Sequence, residues 1–221
     1  MYTLFTATYS RSLMVEMVLA EGAIAYQTHP LDMVAGDHRA EGYRKVNPAG
    51  WIPALQTPGG EVLYETPAIN LWLCETHGLD LVPALRDPGR GAFLSAFFNV
   101  TGEVEPAFKR VFFPHRYSPT PEQIDDIRAR AWKAVRERLA PIDARLAAGG
   151  PFFLGDRFTL ADLTLAYWMP YVEHRDRLED FPAVQRLLEL ARARPALTER
   201  FALLDQWIAT GPSRAPSPPD N

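Results

Sequence analysis

The sequence predicts a small α/β domain of order β-α-β, β-β-α, followed by an all-α domain. Three observations carry that prediction. A β-branched and aromatic stretch at 2–6 runs into an apolar helical stretch that stops at Gly22. A Pro-Gly-Gly turn then separates two short apolar segments just ahead of a helix framed by Thr66, Pro67 and Gly78. Beyond about residue 82 the texture changes, and no convincing strand follows. A chain of 221 residues is long for one compact domain. Single cores usually hold about 100–150 residues, so two domains are expected.

Taken in order, "YTLFT" (2–6) reads as a strand and "SLMVEMVLAEG" as a helix closed by Gly22. "IAYQTHPLD" (24–32) reads as a second strand, and the polar stretch 37–50 as irregular chain with one short helix. "PALQT" and "EVLY" flank Pro-Gly-Gly and form a hairpin. Thr66 is the expected N-cap of the next helix, with Pro67 at its first position and Gly78 at its left-handed end. A Pro- and Gly-bearing linker at 82–90 is expected to divide a first domain, 1–81, from a helical one, 91–210. In the latter, 91–116 reads as one long helix rich in phenylalanine. A capping box of Thr120 and Gln123, with Pro121 at the first position, opens a helix that contains Pro141 and stops at Gly149. Thr159 and Asp162 repeat the box with Asp in place of the usual Glu. Two shorter helices follow at about 182–193 and 195–209, divided by Pro195. The tail 211–221, "GPSRAPSPPDN", has no apolar anchor and is expected to be disordered.

Composition narrows the function. With 47% hydrophobic and 23% charged residues the chain is an ordinary globular protein. A formal net charge of −4 offers no basic field for phosphate backbones, and the arginines of 128–148 are interleaved with Glu137 and Asp143. Nucleic acid is not an expected partner. No apolar run approaches the roughly 20 residues that span a bilayer, and the N-terminus lacks the marks of a signal peptide. No membrane is therefore expected, and the location is read as cytoplasmic. The one cysteine, Cys74, allows neither an internal disulfide nor a Cys-x-x-Cys pair, and no metal site is expected. Cys74 lies mid-helix among apolar neighbours and reads as inert core.

Residues 47–73, "NPAGWIPALQTPGGEVLYETPAINLWL", resemble the glutathione S-transferase pattern of Asn-Pro-x-Gly, Pro-x-Leu, a short hairpin and Glu-Ser-x-Ala-Ile. Thr66 stands in place of the family's Ser. "GDRFTLADLTLA" resembles the family's helical-domain capping motif, and "YSRSLMVEMVLAEGAIAY" looks like the bacterial and fungal members that carry Ser-Arg-Ser. The resemblance extends to about residue 209. It implies a thioredoxin-like first domain that binds glutathione, an all-α second domain that forms a pocket for a small hydrophobic electrophile, and a homodimer; the alternatives are another glutathione-dependent enzyme on this fold, such as an isomerase or dehalogenating lyase, and a non-catalytic binding protein. No permanently bound cofactor is implied; glutathione is the co-substrate. Pro53 matches the family's cis-proline, which leaves Ile52 to pair by main chain with the cysteinyl unit. Glu65 and Thr66 match the pair that holds the γ-glutamyl end. Trp51 occupies a place where many members have Lys or Gln. Arg39, His38, Arg44 and Lys45 are candidates for the glycyl carboxylate.

A transferase of this kind must present its thiol as thiolate. Lowering a thiol pKa from about 8.5 by roughly two units takes about 2.7 kcal/mol, which one hydroxyl hydrogen bond plus a helix N-terminus can supply. "TATYSRSLMV" (6–15) places several hydroxyls at such a junction. The Ser-Arg-Ser match puts the role on Ser10, and aligning on the distance to Tyr26 puts it on Tyr9. Ser12 reads most simply as the helix cap, with Thr8 a further candidate. Phe5 stands where tyrosine-type members carry their phenol, and the absence of cysteine from 6–15 argues against cysteine-type members. The zeta-type isomerases have Ser-Ser-Cys here, which "TYSRS" does not match. The electrophile pocket is expected between the domains, built by Phe108, Val111, Phe112 and His115 with Arg110 nearby. Glu103 and Glu105 are two apart and face different sides of a helix, so they form no acid/base pair.

Overall fold

The structure, a computed structural model, describes residues 1–174 and 177–210, so the tail 211–221 lies outside the described residues. Strand β1 (Tyr2–Thr6) runs parallel to β2 (Tyr26–Pro30) and antiparallel to β3 (Ala54–Gln56), which pairs antiparallel with β4 (Val62–Tyr64). The order across the sheet is β2-β1-β3-β4. Helix α1 (Ser12–Glu21) makes the crossover from β1 to β2, the short α2 (Glu41–Arg44) precedes β3, and α3 (Thr66–His77) follows β4.

Strand alternation layers this region. Leu4 and Leu55 join Leu13, Met17, Ile69 and Leu73 of α1 and α3 in the main core. Phe5 and Ala54, one residue out of phase, turn to the other face and pack against Tyr43 of α2. Helix α3 ends where expected: Gly78, at φ 61°, carries its N–H to the carbonyls of Cys74 and Glu75. Burial pushes the Cys74 thiol up to about 12, which keeps it neutral and inert.

The rest of the chain is helical: α4 (Arg90–Asn99), α5 (Glu105–Phe112), α6 (Ile124–Gly149), α7 (Leu160–Glu173), α8 (Pro182–Arg192) and α9 (Thr198–Thr210). Helix α7 is buried almost throughout and forms the axis of this region. No helix among the described residues is long and apolar enough to cross a membrane.

Two expectations need correction. The single helix over 91–116 is instead α4, a π-helical segment Val100–Val104, and α5, which stops at Phe112. The cause is Pro106, which lacks an N–H and whose ring would press on the carbonyl of Gly102 four residues back. The widened turn, with the Glu105 N–H on the Val100 carbonyl, accommodates it. The Thr120–Gln123 capping box does not form either; Pro121–Gln123 make a 3-10 turn and α6 starts at Ile124 without a side-chain cap. A box needs the Thr120 N–H for the Gln123 side chain, but that N–H goes to Ser118 Oγ at 3.3 Å.

The Thr159–Asp162 box does form. Asp162 Oδ2 accepts the Thr159 N–H at 2.8 Å and its hydroxyl at 2.6 Å, while Oδ1 accepts the Phe153 N–H at 2.8 Å. The sheet and helical regions are joined by a continuous apolar core. The Leu160 N–H also reaches the Leu81 carbonyl at 2.7 Å, and Arg194 grips Glu21 through two bonds of 2.7 and 2.6 Å.

Burial pushes the Asp162 carboxyl from 3.8 up to about 6, against the donors that favour its charged form. The folded state thus holds this proton more tightly than the unfolded chain, so its contribution is present below about pH 4 and lost as pH rises through about 6. Urea denaturation at several pH values should show the wild type losing about 2–3 kcal/mol relative to Asp162→Asn between pH 4 and 7.

Candidate functional site

The strand register brings three loops to one end of the sheet. Ala54 lies opposite Phe5 on one side and Tyr64 on the other. The junction 7–11 after β1, the segment 51–53 before β3 and the turn at 65–66 after β4 therefore leave the sheet together.

At the first loop, Tyr9 takes a left-handed conformation (φ 61°) that turns Ser10 back on the chain. Buried Ser10 donates its hydroxyl proton to the Ala7 carbonyl at 2.8 Å, lies 2.8 Å from Ser12 Oγ and accepts the Ser12 N–H at 3.2 Å. The bond that satisfies the first turn of α1 is thus made by Ser10. This corrects the reading of Ser12 as the cap: Ser12 is buried inside the first turn. Tyr9 is 43% exposed, with its ring 5.6 Å from Trp207 and its hydroxyl 3.5 Å from Thr210 Oγ1. The end of α9 therefore borders the junction.

At the second loop the Ile52–Pro53 peptide bond is cis, and the Ile52 side chain packs with Phe5, Tyr43 and Ala54. The Trp51 carbonyl accepts the Tyr43 hydroxyl and the Asn47 amide, both at 2.7 Å. The Trp51 ring is 55% exposed, and the Arg116 guanidinium lies 5.5 Å over it and 4.4 Å over Phe113. Arg39 ends an exposed 3-10 turn, Asp37–Arg39. Beside it, burial holds the His38 imidazole below its usual range. Gly50, at φ 68°, lets the chain pass the His38 carbonyl, which a Cβ would meet at 3.0 Å.

The third loop turns on Glu65, a non-glycine residue at φ 68° and ψ 111°. Because Glu65 takes the cap position, Thr66 becomes the first residue of α3, which corrects the reading of Thr66 as a side-chain cap. Thr66 is buried, and its Oγ1 has no hydrogen-bond partner among the described residues.

The four residues expected to line the electrophile pocket differ in exposure. Phe108 and Val111 are buried in the helical core, with Phe108 stacked 5.1 Å from Trp168 and 6.1 Å from Phe112. They cannot form an open pocket surface, because this face of α5 packs on α6 and α7. Phe112 is half-buried against Tyr171 at 4.9 Å, and His115 is exposed beside Phe113. Arg110 bonds the Pro106 carbonyl of its own helix at 2.9 Å.

Sequence reasoning missed Arg11 and Glu105. Glu105, only 2% exposed, is bonded to Arg11 Nη1 across the two regions, and its Oε1 also lies 3.1 Å from Lys109 Nζ. The available signal was the i,i+4 spacing of Glu105 and Lys109, which would have marked a paired carboxylate but not its cross-chain partner. Tyr167 of α7 lies within charge reach of both Arg11 and Glu105, and burial pushes its phenol well up.

The sheet order, the helices on its two faces, the cis-proline and the appended helical region define the thioredoxin-like fold with a helical C-terminal region. Residues 10–76 match the profile described as glutathione S-transferase, N-terminal domain, and residues 125–209 that described as glutathione S-transferase, C-terminal domain. The chain belongs to the glutathione S-transferase family. It is 30% identical over 212 residues to maleylacetoacetate isomerase of Pseudomonas aeruginosa, covering 90% of this chain and 93% of that protein. It is 29% identical to glutathione S-transferase 3 of Zea mays, covering 86% and 88% respectively. Among solved structures it resembles Ure2p in complex with glutathione, at a TM-score of 0.80 and 25% identity, covering 90% of this chain and 97% of that one.

At Gly50 the positive φ and the nearby His38 carbonyl both oppose a side chain. Gly50→Ala should cost about 1–3 kcal/mol, read as a lower urea midpoint with an unchanged slope.

Proposed function

We propose that this protein is a glutathione transferase that adds the glutathione thiolate to a small electrophile. The observation that carries the reading is the buried, unbonded Thr66 hydroxyl at the N-terminus of α3, at the same end of the sheet as the Ser10 junction. Glutathione carries two carboxylates and an ammonium group, so its receptor needs fixed donors and one acceptor. In this reading Thr66 and the α3 N-terminus donate to the γ-glutamyl carboxylate and Glu65 accepts from the ammonium. Ile52, set by cis-Pro53, pairs by main chain with the cysteinyl unit. Trp51 and Arg39 border the glycyl end. A glutathione-bound structure among the relatives supports the choice of ligand.

For the thiol, Ser10 is favoured over Tyr9. Its proton must turn from the Ala7 carbonyl to sulfur while the Ser12 hydroxyl donates to Ser10 Oγ, a chain in which each bond strengthens the next. Sulfur then attacks the electrophilic carbon, a C–S bond forms, and the leaving group departs with its bonding electrons. Residues 1–81 supply the glutathione site in this reading, 91–210 the electrophile pocket with Phe112 and His115 at its edge, and 82–90 the link between them. A cytoplasmic homodimer is the expected form. The 30% identity to an isomerase supports a second reading in which glutathione adds and is then released. Consumption of glutathione in proportion to product separates the transferase from this alternative.

Thr66→Val keeps the shape and removes one hydrogen bond to a charged group, so calorimetry should show glutathione binding about tenfold or more weaker. Thiolate absorbance of bound glutathione, titrated against pH, should place its pKa about two units below that of a free thiol. Ser10→Ala should raise that value and Tyr9→Phe should not. The reverse pattern moves the role to Tyr9, and a solution-like pKa in the wild type removes the basis of the transferase mechanism.

A further inference from the structure

We propose that Arg11 binds a carboxylate on the second substrate, so that the electrophile is an anionic compound rather than a neutral apolar one. This deepens the transferase reading and rests on it. Arg11 stands between Ser10 and Ser12 in the chain, and its side chain crosses to Glu105 of α5, so the guanidinium lies where the two regions meet. The cluster around it holds an excess of positive charge. A single carboxylate, Glu105, faces two cations, Arg11 and Lys109. A buried carboxylate requires a partner, but one cation would suffice to meet that need.

Arg11 is also only partly used. It is bonded to Glu105 through Nη1, and its side chain remains 21% exposed. A guanidinium has five N–H donors in a rigid fork that fits a carboxylate bidentately. Glu105, itself fixed by burial, holds that fork in place without saturating it. Tyr167 of α7 lies within charge reach of Arg11. The chain as a whole has a net charge of −4 and does not attract anions at long range, so such recognition has to be local.

The test compares two ligands that share the glutathione part: the glutathione conjugate of a dinitrobenzoate and that of the matching dinitrobenzamide. Calorimetry on the wild type should show the carboxylate conjugate binding about tenfold tighter or more. In Arg11→Gln that ratio should collapse toward one, and Arg11→Lys should keep part of it. Arg11→Gln leaves Glu105 with Lys109 alone, so the double variant Arg11→Gln/Glu105→Gln serves as a second probe and should lose the ratio equally. Equal affinities in the wild type, or a preference that survives in the variants, overturn the assignment. If the wild type binds glutathione but neither conjugate, the assignment also falls, and the glutathione site stands. If glutathione itself fails to bind, the functional reading falls with it.

Discussion

Everything at the candidate site depends on the pairing of Ala54 between Phe5 and Tyr64. Ala54 is fully buried and faces the α2 side with Phe5, while the adjacent Leu4 and Leu55 face α1 and α3. A slip of one residue would exchange these faces and expose leucines to a space built for a methyl group, so burial on both sides fixes the register. That register decides which loops meet. The hydroxyl junction, the cis-proline segment and the Glu65 turn share one end of the sheet because their strands are locked in step.

Much of this was legible in the sequence wherever the cause is local. The hairpin follows from Pro58, Gly59 and Gly60, the end of α3 from Gly78, and the start of α7 from Thr159 and Asp162, each within a few residues of its effect. The reading failed where a distant or competing partner decides. Ser118 took the donor that the Thr120 box needed, and Glu65 displaced Thr66 from the cap. Phe108 and Val111 have the periodicity of either a core face or a pocket face, and only the packing of α6 and α7 chooses between them. Arg11 and Glu105 are 94 residues apart, a contact that no local pattern encodes.

The contacts that join the two regions differ in weight. Arg157 bonds Asp80 and Asp87 at 2.7 Å each, but Asp80 is largely exposed, and exposed pairs typically contribute about 0–1 kcal/mol. The two-bond grip of Arg194 on Glu21 is more sheltered and is capped by the Phe158 ring 4.3 Å away. Together with the continuous core these contacts fix the regions at the C-terminal end of α1. Arg11 and Glu105 join them again at its N-terminal end, beside the hydroxyls. Helix α1 is therefore pinned at both ends, and the geometry of the cleft follows the geometry of that one helix.

The π segment at Val100–Val104 has an evolutionary consequence. A π turn holds one residue more than an α turn, so it shifts the phase of the helix that follows it. Loss of a single codon between 100 and 104 would remove the widened turn that accommodates Pro106 and rotate α5 by about 100° about a helix kinked at that proline. Glu105 would leave Arg11, Lys109 would turn with it, and a different face of α5 would meet the Ser10 junction. A change that leaves Tyr9, Ser10 and Thr66 in place could thus re-face the boundary between the two regions in one step.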